Sequence, residues 1–196
     1  AQISDDYCYM HVSGPGYTGI SNVGGDRANV VLVVDRHSMN GENPEKFYLD
    51  TVMNNSQRYK ILRNAKCLES VRTVEALAFS VKSLPCGGLL MVGDATGFID
   101  PFTGEGIYLS LRSSEIAVEV AEKALKNLNF SKDALNIYEV RRRKEFDKKF
   151  LLSRILQKLI CNQFLCNQVV RALKGDRDLA ETLVGVIGDL KPAETV

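Results

Sequence analysis

The first 35 residues alternate β-prone runs with glycine punctuation. Tyr7 to Val12, Gly16 to Val23 and Asn29 to Asp35 are predicted as three antiparallel strands. After the turn-rich stretch Ser38 to Asn43, Pro44 opens a predicted helix through about Asn54, with Phe47, Val52 and Met53 as its apolar positions. A shorter helix is expected over Gln57 to Arg63, and the Val-, Leu- and Phe-rich region Leu68 to Lys82 reads as a return to strand. Gly87 and Gly88 then precede Leu89-Leu90-Met91-Val92, a short continuous apolar run of the kind found in strands buried on both faces. That strand is expected to stop at Gly93-Asp94. A helix from about Gly104 to Leu128 follows, its stop marked by Asn127 to Asn129, with Ile107, Leu111, Ala117, Val118 and Ala121 assigned to its inner side.

From Ser131 onward the pattern is helical. Ser131 is a candidate N-cap for a helix running from Lys132 into the 150s, and further helices are expected over Cys161 to Leu173 and Leu179 to Ile187. No internal repeat, low-complexity tract or long linker interrupts the chain. The expected class is α+β, in three stretches of one compact unit: a sheet with inserted helices over 1–85, a strand–turn–helix over 86–130, and a helical region over 131–196.

Composition narrows the function classes. A hydrophobic content of 45% over 196 residues can bury a full core. The formal net charge of +1 gives no global field that would single out nucleic acid or an anionic membrane as partner. Apolar stretches such as Val30 to Val34 fall far short of the roughly 20 residues a spanning helix needs. Five cysteines without framework spacing point to free, buried thiols in a reducing compartment, and hence to the cytoplasm. The opening Ala1-Gln2-Ile3-Ser4, with no initiator Met and no signal segment, reads as a chain that starts inside a longer protein.

The segment richest in chemistry is GDATGFIDPFTGEGI, residues 93 to 107. An Asp at the carboxyl edge of a strand, here Asp94, offers a fixed acceptor to a sugar or polyol hydroxyl. Gly104 and Gly106 allow close backbone approach to a flat ligand. The helix that starts there presents unpaired N–H groups and a positive dipole end, suited to an anion or a developing negative charge.

This segment resembles the second FAD-binding motif of the aromatic-hydroxylase superfamily of flavoproteins, which runs Gly-Asp-Ala-Ala-His, three residues, Pro, two residues, Gly, one residue, Gly. Gly93, Asp94, Ala95, Pro101, Gly104 and Gly106 match at that spacing. Gly97, where the phenol hydroxylases carry His, and Asp100-Pro101 bring the segment closer to the geranylgeranyl-reductase-like and halogenase-like branch. The run from His11-Val12 through Gly16 to Ile20, Val23-Gly24-Gly25 and Ala28 to Val30 looks like that branch's substrate-domain strands. So does the tail Leu183 to Asp189 with Lys191-Pro192. The resemblance implies a partial flavoprotein: residues 1–85 as substrate-domain sheet, 86–130 as FAD motif, 131–196 as helical C-terminal region. It also implies that Asp94 holds the ribitol chain, that Pro101 lies beside the flavin ring, and that backbone groups of Thr103, Gly104, Glu105, Gly106 and Ile107 face its pyrimidine edge. A reduced flavin gathers negative charge at that edge, where a helix N-terminus favours reduction.

Gly14-Pro15-Gly16-Tyr17-Thr18-Gly19 formally matches the dinucleotide fingerprint, with Asp35 at about the right distance downstream. Ile20 to Asn29 contains Gly24-Gly25, however, and cannot form the crossover helix the fingerprint requires, so a turn between antiparallel strands is expected. The unit that would hold the ADP half of FAD is then missing from this chain. It would have to come from an N-terminal region in cis or in trans, and the isolated chain is expected to be inactive and able to lack FAD.

Other features have plainer readings. His11 and His37 are the only histidines, too few for a histidine-rich metal site; both read as surface residues, with a substrate-facing position as the alternative for His11. Cys161 and Cys166 lie roughly 140° apart around a helix axis and are read as buried structural thiols. Asp26 and Arg27 fall in an exposed turn. The basic run Arg141 to Lys144 with Lys148 and Lys149 is interleaved with Glu139, Glu145 and Asp147 and reads as a solvated helix face. The expected parent activity is FAD-dependent hydride transfer or oxygen activation on an apolar or polyprenyl-like organic substrate. The rivals are a flavin-dependent hydroxylase or halogenase, the latter needing a catalytic Lys upstream, and a non-catalytic remnant or partner-complemented subunit. No metal, nucleic acid or transmembrane segment is expected.

Overall fold

The structure is a computed structural model and describes residues 3–14, 16–74, 79–81, 86–98, 101–188 and 190–191. It is α+β and divides into two compact units, the first holding residues 1–74 and 159–167, the second residues 75–158 and 168–196.

The first unit is built on a three-stranded antiparallel sheet, β1 (Tyr9–Ser13), β2 (Gly16–Gly24) and β3 (Arg27–Val34), in the order β1-β2-β3. The register pairs Ile20 with Tyr9 on one side and with Val30 on the other, so these residues share one face. Two helices cover that face, α1 (Pro44–Met53) and α2 (Ser56–Leu62). Ile20, Val52 and Leu62 form the core beneath them, with Tyr9, Val30, Leu32, Tyr48 and Ile61 packed around it. Both helix starts follow from local chemistry. Asn43 and Asn55 are extended, and the side chain of each accepts hydrogen bonds from the backbone N–H groups two and three residues on. Arg58, 2% exposed, ties the unit together by donating to the carbonyls of Val52 (2.9 Å) and Thr51 (2.6 Å) and to Ser13 Oγ (2.9 Å).

The dinucleotide-like run is a hairpin connection, as the glycine content of its continuation predicts. Tyr17 to Gly24 continues as strand rather than helix. A Cβ at Gly16 would lie 2.0 Å from the Val33 carbonyl oxygen, so this glycine serves close strand packing. Pro15 lies outside the described residues. Asp26 sits in the exposed β2–β3 turn, whereas Arg27, also exposed, is the first residue of β3 rather than part of the turn.

The second unit contains β4 (Phe79–Ser80) paired with β5 (Gly97–Phe98), and the helices α3 (Gly106–Lys126), α4 (Lys132–Ile160), α5 (Gln163–Gly175) and α6 (Arg177–Ile187); the ends of α4 and α5 extend into the first unit's residues. Ser131 Oγ accepts from the Ala134 N–H at 3.3 Å, as expected of an N-cap. Ile116, Ala117, Val120 and Ala124 of α3 pack with Leu135 and Tyr138 of α4 as the unit's core.

Several expectations are corrected. Among the described residues, the strand expected over Leu68 to Lys82 is found only at Phe79–Ser80: residues 68–74 have no regular structure, with Leu68 and Val74 over 70% exposed, and 75–78 and 82–85 lie outside the described residues. Leu89 to Val92 joins no sheet among the described residues, and Leu89 is 52% exposed; only Leu90 packs on the core. The apolar run was legible, but the neighbours that would make it a buried strand are not there to be read. On α3 the inner side is Leu109, Ser113, Ile116, Ala117, Val120 and Ala124, whereas Ile107, Leu111 and Val118 are exposed. Both faces of this helix carry apolar residues; of the expected inner positions Ala117 is buried, and the exposed three lie on the opposite face. Cys8, Cys67, Cys86 and Cys161 are exposed and Cys166 is half-buried, so the thiols are free but not buried. The basic run is solvated only in part, because Arg142 is 8% exposed and bonded to Glu139.

His11 faces α1 and α2, opposite Thr18 in the register, and its Nε2 is buried without a hydrogen-bond partner, as is Thr18 Oγ1. Tyr9 stacks on its ring, and Arg58 is the nearest charge. Burial, helped by the positive Arg58, holds the His11 pKa below its ordinary value of 6.5. The unfolded chain therefore takes up this proton first, and the first unit loses stability as pH falls from about 6.5 toward the lowered native value. Denaturant melts at pH 7, 6 and 5 should show this loss in the wild type and a flatter profile in His11→Gln; an unchanged profile would remove His11 from the account.

Candidate functional site

The turn from Gly93 to Ile107 is held in place by α3. Gly93 to Thr96 forms a single 3-10 turn entered from extended Val92. The Gly93 N–H donates to Ser113 Oγ at 2.8 Å, and Thr96 Oγ1 closes the turn on the Gly93 carbonyl at 2.8 Å. Gly93 has φ +57°, and a Cβ there would lie 2.7 Å from Ser110 Oγ. Conformation and space both demand glycine at this position. Asp94 and Ala95, next along, point into solvent.

Pro101 to Thr103 makes a second 3-10 turn, closed by the Gly104 N–H on the Pro101 carbonyl at 3.1 Å. Gly104 has φ +72° with open space where a Cβ would stand. Gly106 opens α3, and the nearest atom to its absent Cβ is Phe98 Cε2 at 3.9 Å, so nothing in the chain itself requires glycine there. Ile107 is 77% exposed. Ile99 and Asp100 lie outside the described residues.

Glu105 occupies the N-cap position of α3 but does not cap it. Its carboxylate is drawn away, accepting from Thr103 Oγ1 (3.2 Å) and Ser153 Oγ (3.3 Å) and pairing with Lys149 Nζ (3.9 Å). Glu105 and Lys149 are 16% and 12% exposed. Lys149 Nζ also lies 4.1 Å from the centre of the Tyr108 ring. Burial lowers the Lys149 pKa against the opposing pull of Glu105 and Glu145. Beside this pair, a cleft of about 30 Å³ is lined by Phe98, Leu109, Phe146, Phe150 and Ser153. Tyr108 donates to Glu145 at 2.9 Å, and burial followed by this bond raises the tyrosine pKa. For Glu145, the upward push of burial is outweighed by hydrogen bonds from Tyr108 and Arg112, leaving its pKa lowered.

All the described residues singled out in the turn thus come together on one strand-like entry, two 3-10 turns and the start of α3. Tyr108, Phe146, Lys149 and Ser153 were missed. Their signal was the i, i+3, i+4, i+7 spacing of Phe146, Lys149, Phe150 and Ser153 on α4, which marks one inward face around a lysine assigned to solvent. Neither histidine belongs to the turn: His11 lies in the sheet of the first unit and His37 is exposed. Among the described residues, no group of three or more His, Cys, Asp or Glu side chains is placed to hold a metal ion, and no helix is long and apolar enough to cross a membrane.

The arrangement fits a flat, electron-accepting ligand. Side-chain oxygens leave the first N–H groups of α3 uncapped, the backbone at Gly104 and Gly106 carries no bulk, and an exposed carboxylate stands at Asp94.

Comparison with known proteins identifies relatives of the chain. The digeranylgeranylglycerophospholipid reductase of Methanocaldococcus jannaschii is 33% identical over 144 residues, covering 74% of this chain and 35% of the reductase. The chain is homologous to these reductases. The Picrophilus torridus protein of the same name is 31% identical over 136 residues, 69% of this chain and 34% of its own length. That of Methanocella arvoryzae is 27% identical over 164 residues, 82% and 40% respectively. This chain therefore spans about a third of the length of the curated reductases it matches. No family model matches the chain. The homology agrees with the geranylgeranyl-reductase-like branch to which Gly97 pointed.

Gly93→Ala should destabilise the second unit by about 2–4 kcal/mol, combining a left-handed φ with overlap on Ser110. Denaturant unfolding measures this, and Gly93→Ala with Ser110→Gly should recover part of the loss. A single mutant as stable as wild type would mean the turn is not seated on α3 as described.

Proposed function

We propose that this chain forms the flavin-facing part of an FAD-dependent oxidoreductase that reduces a polyprenyl-like lipid. The observation that carries the reading is the uncapped start of α3 beside two ligand-ready glycines, in a chain homologous to reductases whose name specifies a digeranylgeranyl phospholipid. FAD, when bound, supplies the hydride chemistry, and the role of this chain is to hold and bias it.

In this reading each residue of the turn has one task. The Asp94 carboxylate accepts from ribitol hydroxyls. Ala95, exposed beside it, adds no bulk there, and Pro101 lies beside the ring. Backbone N–H groups from Thr103 to Ile107 meet the pyrimidine edge, where the α3 dipole favours the negative charge gathered on reduction. Lys149, Thr103 and Ser153 matter indirectly. By engaging Glu105 they keep a carboxylate from taking the N–H groups that a ligand would use.

The ADP half of the cofactor needs a nucleotide-binding unit, because the glycines at 14 to 19 belong to a hairpin. The proposal is therefore that FAD binds where this chain meets such a unit, in cis or in trans. The relatives' names favour reduction over hydroxylation or halogenation. A cytoplasmic location, with the lipid reached from outside the bilayer, belongs to the same reading.

The test is flavin content in the complete protein. Asp94→Ala should lower the FAD retained per polypeptide several-fold, read from flavin absorbance after gel filtration, with an unchanged melting temperature for the apoprotein. Full retention in the mutant would remove Asp94 from the site. A complete protein that stays colourless with added FAD would sink the flavoenzyme reading.

A further inference from the structure

α4 turns Leu135, Tyr138 and Phe146 inward, each less than one-tenth exposed. Its opposite face carries two aliphatic pairs, Ile137 with Val140 and Leu151 with Ile155, which are 49%, 54%, 58% and 47% exposed. Lys144 and Lys148 stand between the pairs and Lys158 follows them, all three exposed. The seven positions are spaced 3, 4, 4, 3, 4 and 3 residues apart. They therefore fall within roughly 80° of one another around the axis and run about 32 Å along it. The whole stripe belongs to the second unit.

Charge is segregated along this face in a way that the net charge of +1 conceals. Arg141 is paired with Glu119, and Arg142 and Arg143 share Glu139. Lys144, Lys158 and the exposed Arg154 at the edge of the stripe make no ion pair among the described residues. Asp147 borders the stripe, but from Lys148 to Gly175 the sequence contains six Lys and Arg residues and no Asp or Glu.

The mixture of aliphatic and cationic groups selects the partner. A packed protein surface would have to bury the lysines that separate the two aliphatic pairs, and protein interfaces favour aromatic residues and Arg over Lys. A nucleic acid would use the cations and leave four aliphatic side chains in water. An anionic lipid surface uses both sets. Aliphatic side chains enter the boundary between headgroups and acyl chains, while lysine stems lie beside them and carry their ammonium groups out to the phosphates. Two pairs about 22 Å apart enter together only if the helix axis lies parallel to the surface. α4 is not apolar enough to cross a bilayer, so the surface is where it would act.

We infer that the Ile137–Lys158 face of α4 is a docking surface for an anionic phospholipid bilayer, on which the helix lies flat with its four aliphatic side chains inserted. The inference rests on the proposed function only for the use of such a surface, which is to bring a phospholipid substrate near the flavin site. The inward side of the same helix supplies Phe146 and Lys149 to the cleft at the start of α3. A bilayer on the outer face is thus about one helix diameter, ~10 Å, from that site.

Flotation of the full 196-residue chain with vesicles tests the surface, using phosphatidylcholine alone and phosphatidylcholine containing about one-third phosphatidylglycerol. The chain should bind the anionic vesicles about tenfold more tightly than the neutral ones, or better. Leu151→Gln with Ile155→Gln should weaken that binding by about tenfold or more, as should Lys144→Gln with Lys158→Gln. Both double mutants should keep the wild-type melting temperature, since all four side chains are exposed. A folded chain that ignores anionic vesicles would overturn the inference. So would binding lost in the lysine mutant but kept in the aliphatic one, because that pattern describes attraction to any polyanion. A homodimer of the chain that Leu151→Gln with Ile155→Gln dissociates would also overturn it, by giving the stripe to a second copy. In the complete protein neither double mutant should change the FAD retained. Vesicle binding by a complete protein that holds no flavin would uphold the surface while refuting the flavin assignment, so the two can fail separately.

Discussion

The seat of Gly93 on α3 is the contact on which the rest of the second unit's chemistry depends. One backbone N–H held by Ser113 at 2.8 Å, in a conformation only glycine adopts comfortably, fixes where the chain stops being extended and begins to turn. From that point Asp94 is carried into solvent, Thr96 closes the turn, and the chain returns to α3 only thirteen residues after it left. Anything that loosens Gly93 from Ser110 and Ser113 moves both the carboxylate at 94 and the helix start at 106.

The second constraint is electrostatic. A carboxylate near a helix N-terminus is ordinarily drawn to its positive end. Glu105 instead engages Thr103, Ser153 and, in a largely buried ion pair, Lys149, which itself rests against Tyr108. The helix forgoes the stabilisation of a side-chain cap and keeps a positive, unblocked end.

Much of this was legible from sequence, and the gaps have physical reasons. The hairpins were readable because glycine pairs and β-branched runs are local signals, and the same glycines exposed the false dinucleotide fingerprint. Gly93, Gly97 and Gly104 each take a positive φ, the local signal by which the turn was readable, whereas Gly106 answers to no requirement of the chain itself. The interior of α3 was not: with apolar residues on two faces, periodicity alone cannot say which face the rest of the chain covers. Leu89 to Val92 failed for a related reason, since a run of apolar residues predicts burial without naming the neighbour. Lys149 was hidden in a basic cluster, because charge counting along the chain does not register that Phe146, Phe150 and Ser153 turn the same way.

The account as a whole treats residues 93 to 107 as one edge of a flavin site whose other edge is a separate nucleotide-binding unit. A crystal structure of the complete protein with FAD bound tests this most directly. The account predicts the pyrimidine edge of the ring within about 3 Å of backbone N–H groups between Thr103 and Ile107, and a ribitol hydroxyl on Asp94. A flavin bound elsewhere, with this turn facing only water, would contradict it.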